Sequence, residues 1–217
     1  MIKKILFGSK DKMKSAYFWN TCAAMLNAFQ TVFILMLISR IDPVIDAGVF
    51  TIAFAIGNLM MAIGKYGIRQ FQVSDVEEKY SFKEYTVARI ITSIIMIAAS
   101  FVYVGVNLAS GLYDSSKSIV IILICLAKVI DAVEDVIHGM FQQYLRLDVA
   151  GKILSIRMCT YIFVYLVCYY FSKNLILTSA VALLVSFIQF VILNYTAIRG
   201  FEIKKKTFEI KNVKNIF

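Results

Sequence analysis

The chain has 217 residues, 60% of them apolar and only 17% charged, with a mean hydropathy of +0.76. A soluble domain is nearer half apolar and a quarter charged, so this composition excludes an ordinary globular protein. Disorder is excluded as well, because so much apolar surface cannot stay hydrated. The net charge of +9 comes from 23 Lys and Arg against 14 Asp and Glu. In a soluble protein that excess points to nucleic acid. In a membrane protein it reports cytoplasmic loops enriched in Lys and Arg, so no nucleic-acid partner is expected.

Six apolar segments follow one another at about 16–38, 44–66, 87–109, 118–142, 153–172 and 175–197. Each is long enough to cross a hydrocarbon layer of about 30 Å as a helix. The expected fold is an all-α membrane protein, a six-transmembrane-helix bundle over 1–197 with a basic tail at 198–217. The first span is too long for the apolar region of a signal peptide. It also holds Trp19, Asn20 and Asn27 and lacks a cleavage site, so it is read as a span that stays.

The first connection contains the only proline, Pro43, which interrupts no helix there. The connection over 67–86 is long and polar. Within it Ser81 and Glu84 have capping-box spacing, which predicts a helix start just before the third span. Cys22, Cys125, Cys159 and Cys168 fall inside apolar runs without a CxxC pair. They read as small apolar packing residues rather than metal ligands or a disulfide.

Nineteen of the 23 cations fall on one side of these spans: at the N-terminus, from Lys65 to Arg89, around Arg146, Lys152 and Arg157, and in the tail. Only Arg40, Lys117 and Lys173 fall on the other side. Both termini are therefore expected in the cytoplasm. Tyr17-Phe18-Trp19 and Tyr169-Tyr170 are expected in the interfacial aromatic belts. Lys204-Lys205-Lys206 reads as a positive-inside anchor with some attraction for anionic lipid.

The fourth span carries Lys128, Asp131, Glu134, Asp135, His138 and Gln142, with Arg146 just beyond. At about 100° per residue all seven fit one arc of about 120°. One ionised group facing lipid at mid-bilayer costs about 2.5–3.5 kcal/mol. Several together exceed the stability of a typical fold, about 5–15 kcal/mol. The stripe must face protein or a water-filled cavity.

Weaker polar stripes mark other spans: Asn20, Asn27 and Thr31; Thr51, Asn58 and Lys65; Arg89, Ser93, Ser100 and Asn107; Arg157, Thr160, Tyr161 and Cys168; Ser186 and Gln189. Stripes on most spans favour a shared hydrophilic interior over hydrogen bonding between helices alone. Three readings of the fourth span compete. A metal site from Asp131, Glu134, Asp135 and His138 has ligand-type side chains, but one histidine with carboxylates from a single helix leaves selectivity unexplained. A proton- or sodium-coupling site would use the same carboxylates and histidine. A mutually neutralised lining would pair Lys128 with Asp131 and Glu134 with His138 at i,i+3 and i,i+4. No metal or other cofactor is expected.

Three stretches carry a resemblance to a known family. Arg40-Ile41-Asp42-Pro43 followed by Ala47-Gly48-Val49-Phe50 resembles an "R-x-L-G-P … Y-G-x-F" junction, with Asp42 in place of Gly and Ala47 in place of Tyr. Gly64 to Phe71 resembles a "G-x-x-G-x-x-R" span end. Asp135 to Arg157 resembles the stretch after a "G-x-x-Q" in a fourth span. In this order, at these span ends, they resemble the N-terminal lobe of the polysaccharide (O-antigen and capsule, Wzx-type) flippases. These belong to the multidrug/oligosaccharidyl-lipid/polysaccharide exporter superfamily, whose members are MATE-like transporters.

The resemblance implies movement of undecaprenyl-pyrophosphate-linked sugar repeat units across the bacterial cytoplasmic membrane by alternating access, in polysaccharide and lipopolysaccharide biosynthesis, without covalent chemistry. It implies Lys65, Arg69, Arg89, Arg146 and Arg157 as cations that meet the pyrophosphate and Lys128 as a deeper one, arginine suiting phosphate through its planar fork. Asp131, Glu134, Asp135, His138 and Gln142 depart from a purely cationic cavity and stand as polar or ion-coupling candidates. The family has two six-helix lobes, so the expected partners besides membrane lipid and lipid-linked oligosaccharide are a second lobe, a homodimer mate or a polysaccharide polymerase complex. A half-length or truncated flippase is expected, with 198–217 as tail or as the start of a linker. The rivals are a multidrug or small-solute exporter lobe and a non-transporting scaffold subunit. An intramembrane enzyme is disfavoured, because no nucleophile motif or two-helix metal pairing is present.

Overall fold

The structure, a computed structural model, describes residues 2–42, 44–201 and 209–216. Pro43 and the Lys204-Lys205-Lys206 run lie outside the described residues. The elements in chain order are α1 (Ile2–Phe7), α2 (Lys12–Ile41), α3 (Ile45–Lys65), α4 (Ile68–Ser74) and α5 (Phe82–Ala109), then α6 (Ser115–Gln143), α7 (Leu147–Ser172), α8 (Leu175–Ile198) and α9 (Ile210–Lys214). Among the described residues there is no strand. Five stretches, α2, α3 with α4, α5, α7 and α8, are long and apolar enough to cross a membrane. The protein has the build of an all-α, multi-pass membrane protein. At 29 residues α6 is as long as the others, but its charges set its composition apart.

The helix starts follow local chemistry. The Asp11 carboxylate accepts from the backbone N–H of Met13 and Lys14, both at 3.1 Å. Asp114 and Asn174 cap α6 and α8 in the same way. Their side-chain oxygens satisfy donors that the first helical turn leaves without partners. The Ser81–Glu84 box forms: Ser81 Oγ accepts from Glu84 N at 3.3 Å, and Glu84 Oε2 accepts from Ser81 N at 2.5 Å. The helix it starts begins at Phe82, a turn before the apolar run that marks the span. The polar connection expected over 67–86 is partly helical. Tyr66 and Gly67 have φ of 37° and 67°, a left-handed break that Gly67 tolerates, and α4 resumes behind it with Ile68 and Gln72 buried.

At the centre of the bundle is α6. No residue between Val120 and Tyr144 is exposed, because α3, α4, α5, α7 and α8 all pack on it. Outside that ring α2 lies chiefly against α7. One apolar core gathers Phe50, Phe54, Ile124 and Tyr165. A second gathers Leu6, Tyr85, Phe141, Val149 and Val213, so α1 and α9 share one end of the bundle, called here the terminal end. Ile94, Phe101, Phe163, Leu184 and Phe187 are exposed on the rim. An apolar rim of this extent belongs in lipid.

Two polar details tie the ends down. Lys152 Nζ donates to the carbonyls of Ile5 and Leu6, both at 3.0 Å, and to Ser9 Oγ at 2.6 Å, which holds the last turn of α1 on α7. Glu84 Oε1 accepts from Glu209 N at 3.0 Å and Asn212 Nδ2 at 2.9 Å, which docks α9 on α5. Tyr169 departs from expectation. It is buried and donates to Asp46 at 2.6 Å, so it belongs to the core, while Tyr170 and Tyr17 are exposed.

The α2–α7 seam depends on Gly151. A Cβ there would lie 2.8 Å from both the Asn20 backbone nitrogen and the Trp19 carbonyl carbon. Backbone cannot swing aside as a side chain can, so Gly151→Ala is expected to cost about 1–3 kcal/mol through overpacking. A lowered thermal midpoint in detergent checks this; an unchanged midpoint would show that the seam yields freely.

Candidate functional site: a charged network inside the bundle

The polar arc of α6 meets cations from three other helices. Arg157 of α7 donates from Nε to Glu134 Oε2 at 2.9 Å and from Nη2 to Asp131 Oδ1 at 2.5 Å. Its Nη1 reaches Ser186 Oγ of α8 at 3.1 Å. Glu134 also accepts from Asn194 Nδ2 at 2.9 Å through Oε1. One guanidinium and one carboxylate thus join α6, α7 and α8. A second node forms nearer the terminal end. Asp135 accepts from Arg89 Nη2 of α5 at 2.9 Å and from Arg69 Nη1 of α4 at 3.3 Å. Arg89 Nη1 and Thr92 Oγ1 both donate to the carbonyl of Gly64, at 2.6 and 2.8 Å, near the end of α3. Arg69 Nη2 adds a bond to Gln142 Oε1 at 3.0 Å.

Within α6 the anticipated Lys128–Asp131 pair forms, whereas Glu134 and His138 come near each other without a hydrogen bond. Lys128 Nζ lies 3.4 Å from Asp131 Oδ2 and 4.3 Å from the Phe54 ring centroid. His138 Nε2 lies 4.0 Å from Glu134 Oε2 and makes no hydrogen bond among the described residues. Both contacts are subordinate to the inter-helix arginines. Arg89 and Arg157 are 0% and 1% exposed; Arg157 is bound to two carboxylates and Ser186, and Arg89 to one carboxylate and the Gly64 carbonyl. A buried charge with one partner removed is far costlier than the pair, so these arginines hold α6 in place.

The six candidate cations therefore separate. Arg69, Arg89, Lys128 and Arg157 converge on Asp131, Glu134, Asp135, His138 and Gln142. Arg146 stands apart at the start of α7, bound through Nε and Nη2 to Asp148 at 2.8 and 3.0 Å and resting over the Phe7 ring. Lys65, at the end of α3, is partly exposed and makes no hydrogen bond or ion pair among the described residues, though it stands within electrostatic range of Lys128 and Asp131. Sequence reasoning missed Asn194 and the Gln72–Gln143 contact, in which Gln143 Nε2 donates to the Gln72 carbonyl at 2.8 Å. The available signal for Asn194 was an amide inside an apolar span, which lipid disfavours.

The polar stripes of α5 and α7 turn inward, with Arg89, Ser93, Ser100, Arg157 and Tyr161 buried. Those of α2 and α3 do so only in part: Asn20 donates to the Leu147 carbonyl of α7 at 3.0 Å, while Asn27, Thr51 and Asn58 are exposed. Cys125 is buried and Cys159 exposed, with Cys22 and Cys168 between. Among the described residues no three His, Cys, Asp or Glu side chains are grouped to hold a metal.

The fold and the network define a multi-pass helical protein with an ion-paired interior. Comparison with protein-family models, with curated proteins and with solved structures gives no match.

Proposed function

We propose that the chain is one six-helix lobe of a transporter that moves lipid-linked oligosaccharide, undecaprenyl-pyrophosphate-linked repeat units, across the bacterial cytoplasmic membrane for polysaccharide and lipopolysaccharide assembly. The reading combines the three resembling stretches with one observation, a polar strip at membrane depth that the bundle leaves uncovered. Asn27 of α2 and Asn58 of α3 are exposed. Each lies about 20 Å along its helix from the α2–α3 turn, and Lys128 and Arg157 sit about as far from the same end of the bundle. Asn27 shares a helical face with buried Ala23, Gln30 and Ile34, so its exposure marks a gap in the packing.

Lys65, at the terminal end of the strip, is the cation left for a ligand. With it, five cations (Lys65, Arg69, Arg89, Lys128 and Arg157) face three carboxylates (Asp131, Glu134 and Asp135), and the surplus suits a pyrophosphate. In this mechanism Lys65 attracts the headgroup and the amides and hydroxyls of the strip replace its water. A second lobe or a second copy closes the strip, and rocking of one against the other alternates its exposure. Both termini lie in the cytoplasm by the positive-inside rule.

Deleting the gene in its native host is expected to abolish surface polysaccharide and to accumulate lipid-linked repeat units; normal glycan without accumulation overturns the reading. Lys65→Ala is expected to lower headgroup translocation about tenfold, with stability within about 0.5 kcal/mol because no partner is lost. Full transport by this variant would remove Lys65 from the path. The alternative is a multidrug or small-solute exporter lobe, favoured by the residual exposure of the Asp131 and Asp135 side chains, 14% and 11%. Its signature is efflux of organic cations with glycan unchanged.

A further inference from the structure

We infer that the lipid-facing groove between α2 and α7 seats the hydrocarbon tail of an anionic polyprenyl lipid while the headgroup crosses. This rests on the transport reading above and says where that substrate's tail runs. On α2, Phe18, Met25, Phe29, Phe33, Met36 and Arg40 recur at helical spacing and form one stripe. On α7, Ser155, Cys159, Leu166 and Tyr170 form another. Between the two stripes lie hollows of 780 and 410 Å³ that share Phe33. The first sets Phe18 to Phe33 beside Ser155 to Thr160, and the second sets Phe33 to Arg40 beside Leu166 to Phe171. The two hollows are therefore halves of one groove between helices that run in the same direction.

Length selects the occupant. From Phe18 to Arg40 the groove runs about 33 Å, the full thickness of a hydrocarbon core of about 30 Å. A phospholipid acyl chain reaches through its own leaflet only, whereas a polyprenyl chain is long enough to fill the whole groove. The walls ask for nothing polar. Ser155 Oγ already donates to the Trp19 carbonyl at 3.2 Å, and Thr160 Oγ1 to the Ile156 carbonyl at 2.9 Å. Cations stand at both ends. Arg40 lines the second hollow, is exposed and makes no ion pair among the described residues; at the other end Lys14 lies on the Phe18 face of α2, exposed and 3.7 Å from Asp11. An anionic headgroup thus meets a cation in either leaflet while its tail keeps the same seat.

Two native thiols report on the groove: Cys22 and Cys159 line its half between Phe18 and Phe33, while Cys168 lies on α7 outside it. The full chain is reconstituted in nanodiscs of phosphatidylethanolamine, and labelling by a membrane-permeant maleimide is followed by mass spectrometry with and without undecaprenyl phosphate. Cys22 and Cys159 are expected to react at least fivefold more slowly with the lipid present and Cys168 at an unchanged rate. Arg40→Ala is expected to raise the protecting concentration several-fold. Cys159→Trp, at an exposed position that folding tolerates, is expected to abolish protection of Cys22. Equal protection by phosphatidylglycerol makes the groove ordinary lipid-facing surface and overturns the inference. So does lipid-independent cross-linking of Cys159 between two copies, which makes a second chain the occupant. Absent protection in a host whose glycan still depends on the gene overturns the groove and leaves the transport reading standing. Selective protection with normal glycan in the deletion strain supports the groove and overturns the transport reading.

Discussion

Replacing Arg157 by methionine is expected to destabilise the bundle by about 3–5 kcal/mol. Such a loss consumes much of a typical fold stability of about 5–15 kcal/mol. Arg157 is the shared partner of Asp131 and Glu134 and the donor to Ser186, and Glu134 is 1% exposed. Without the guanidinium, two carboxylates stand beside each other on one helix, Glu134 buried with only Asn194 and Asp131 left with Lys128. The expected result is a strongly lowered thermal midpoint in detergent and poor recovery of monodisperse protein. Adding Glu134→Gln to the same chain is expected to restore most of the loss, because the buried orphaned charge is then gone while Asp131 keeps Lys128. If Arg157→Met alone leaves the midpoint unchanged, the network does not organise the bundle.

Truncating Asp135 to alanine is the second large effect, expected at about 3 kcal/mol or more. This carboxylate neutralises Arg89, which is 0% exposed, and orients Arg69, so its loss leaves one cation buried and frees another. Arg89 also anchors the end of α3 through the Gly64 carbonyl, and Arg69 belongs to α4. The damage is therefore expected to localise, with limited proteolysis entering over 67–81 before the rest of the chain. Asp135→Asn keeps an acceptor oxygen for Arg89 and is expected to lose roughly half as much. Equal loss in the two variants would mean that shape rather than charge holds this node.

The stripe on α6 is legible in the sequence alone, because 3.6-residue periodicity places Lys128, Asp131, Glu134, Asp135 and His138 on one face whatever the surroundings. The Lys128–Asp131 pair is legible for the same reason, since its spacing lies within one helix. The Ser81–Glu84 box belongs to this local class as well. The partners that dominate energetically were not legible. Arg157 stands well beyond Glu134 in the chain and Arg89 well before Asp135. Nothing local distinguishes an arginine at a span end that anchors to headgroups from one that turns inward to a carboxylate. Tyr169 shows the same limit: two adjacent tyrosines looked alike as belt residues, and only packing against Asp46 drew one inside.

The sequence by itself determined the solvent, the number and approximate bounds of the long helices, and the face of α6 that must avoid lipid. These follow from transfer energies and helical periodicity, which act residue by residue. The tertiary structure decided which helix lies at the centre, which cations are taken up by carboxylates, and that Lys65, Asn27 and Asn58 are left at the surface. Those outcomes depend on how helices far apart in the chain are set against one another. A buried charge is tolerated only where another helix brings its partner within hydrogen-bond reach.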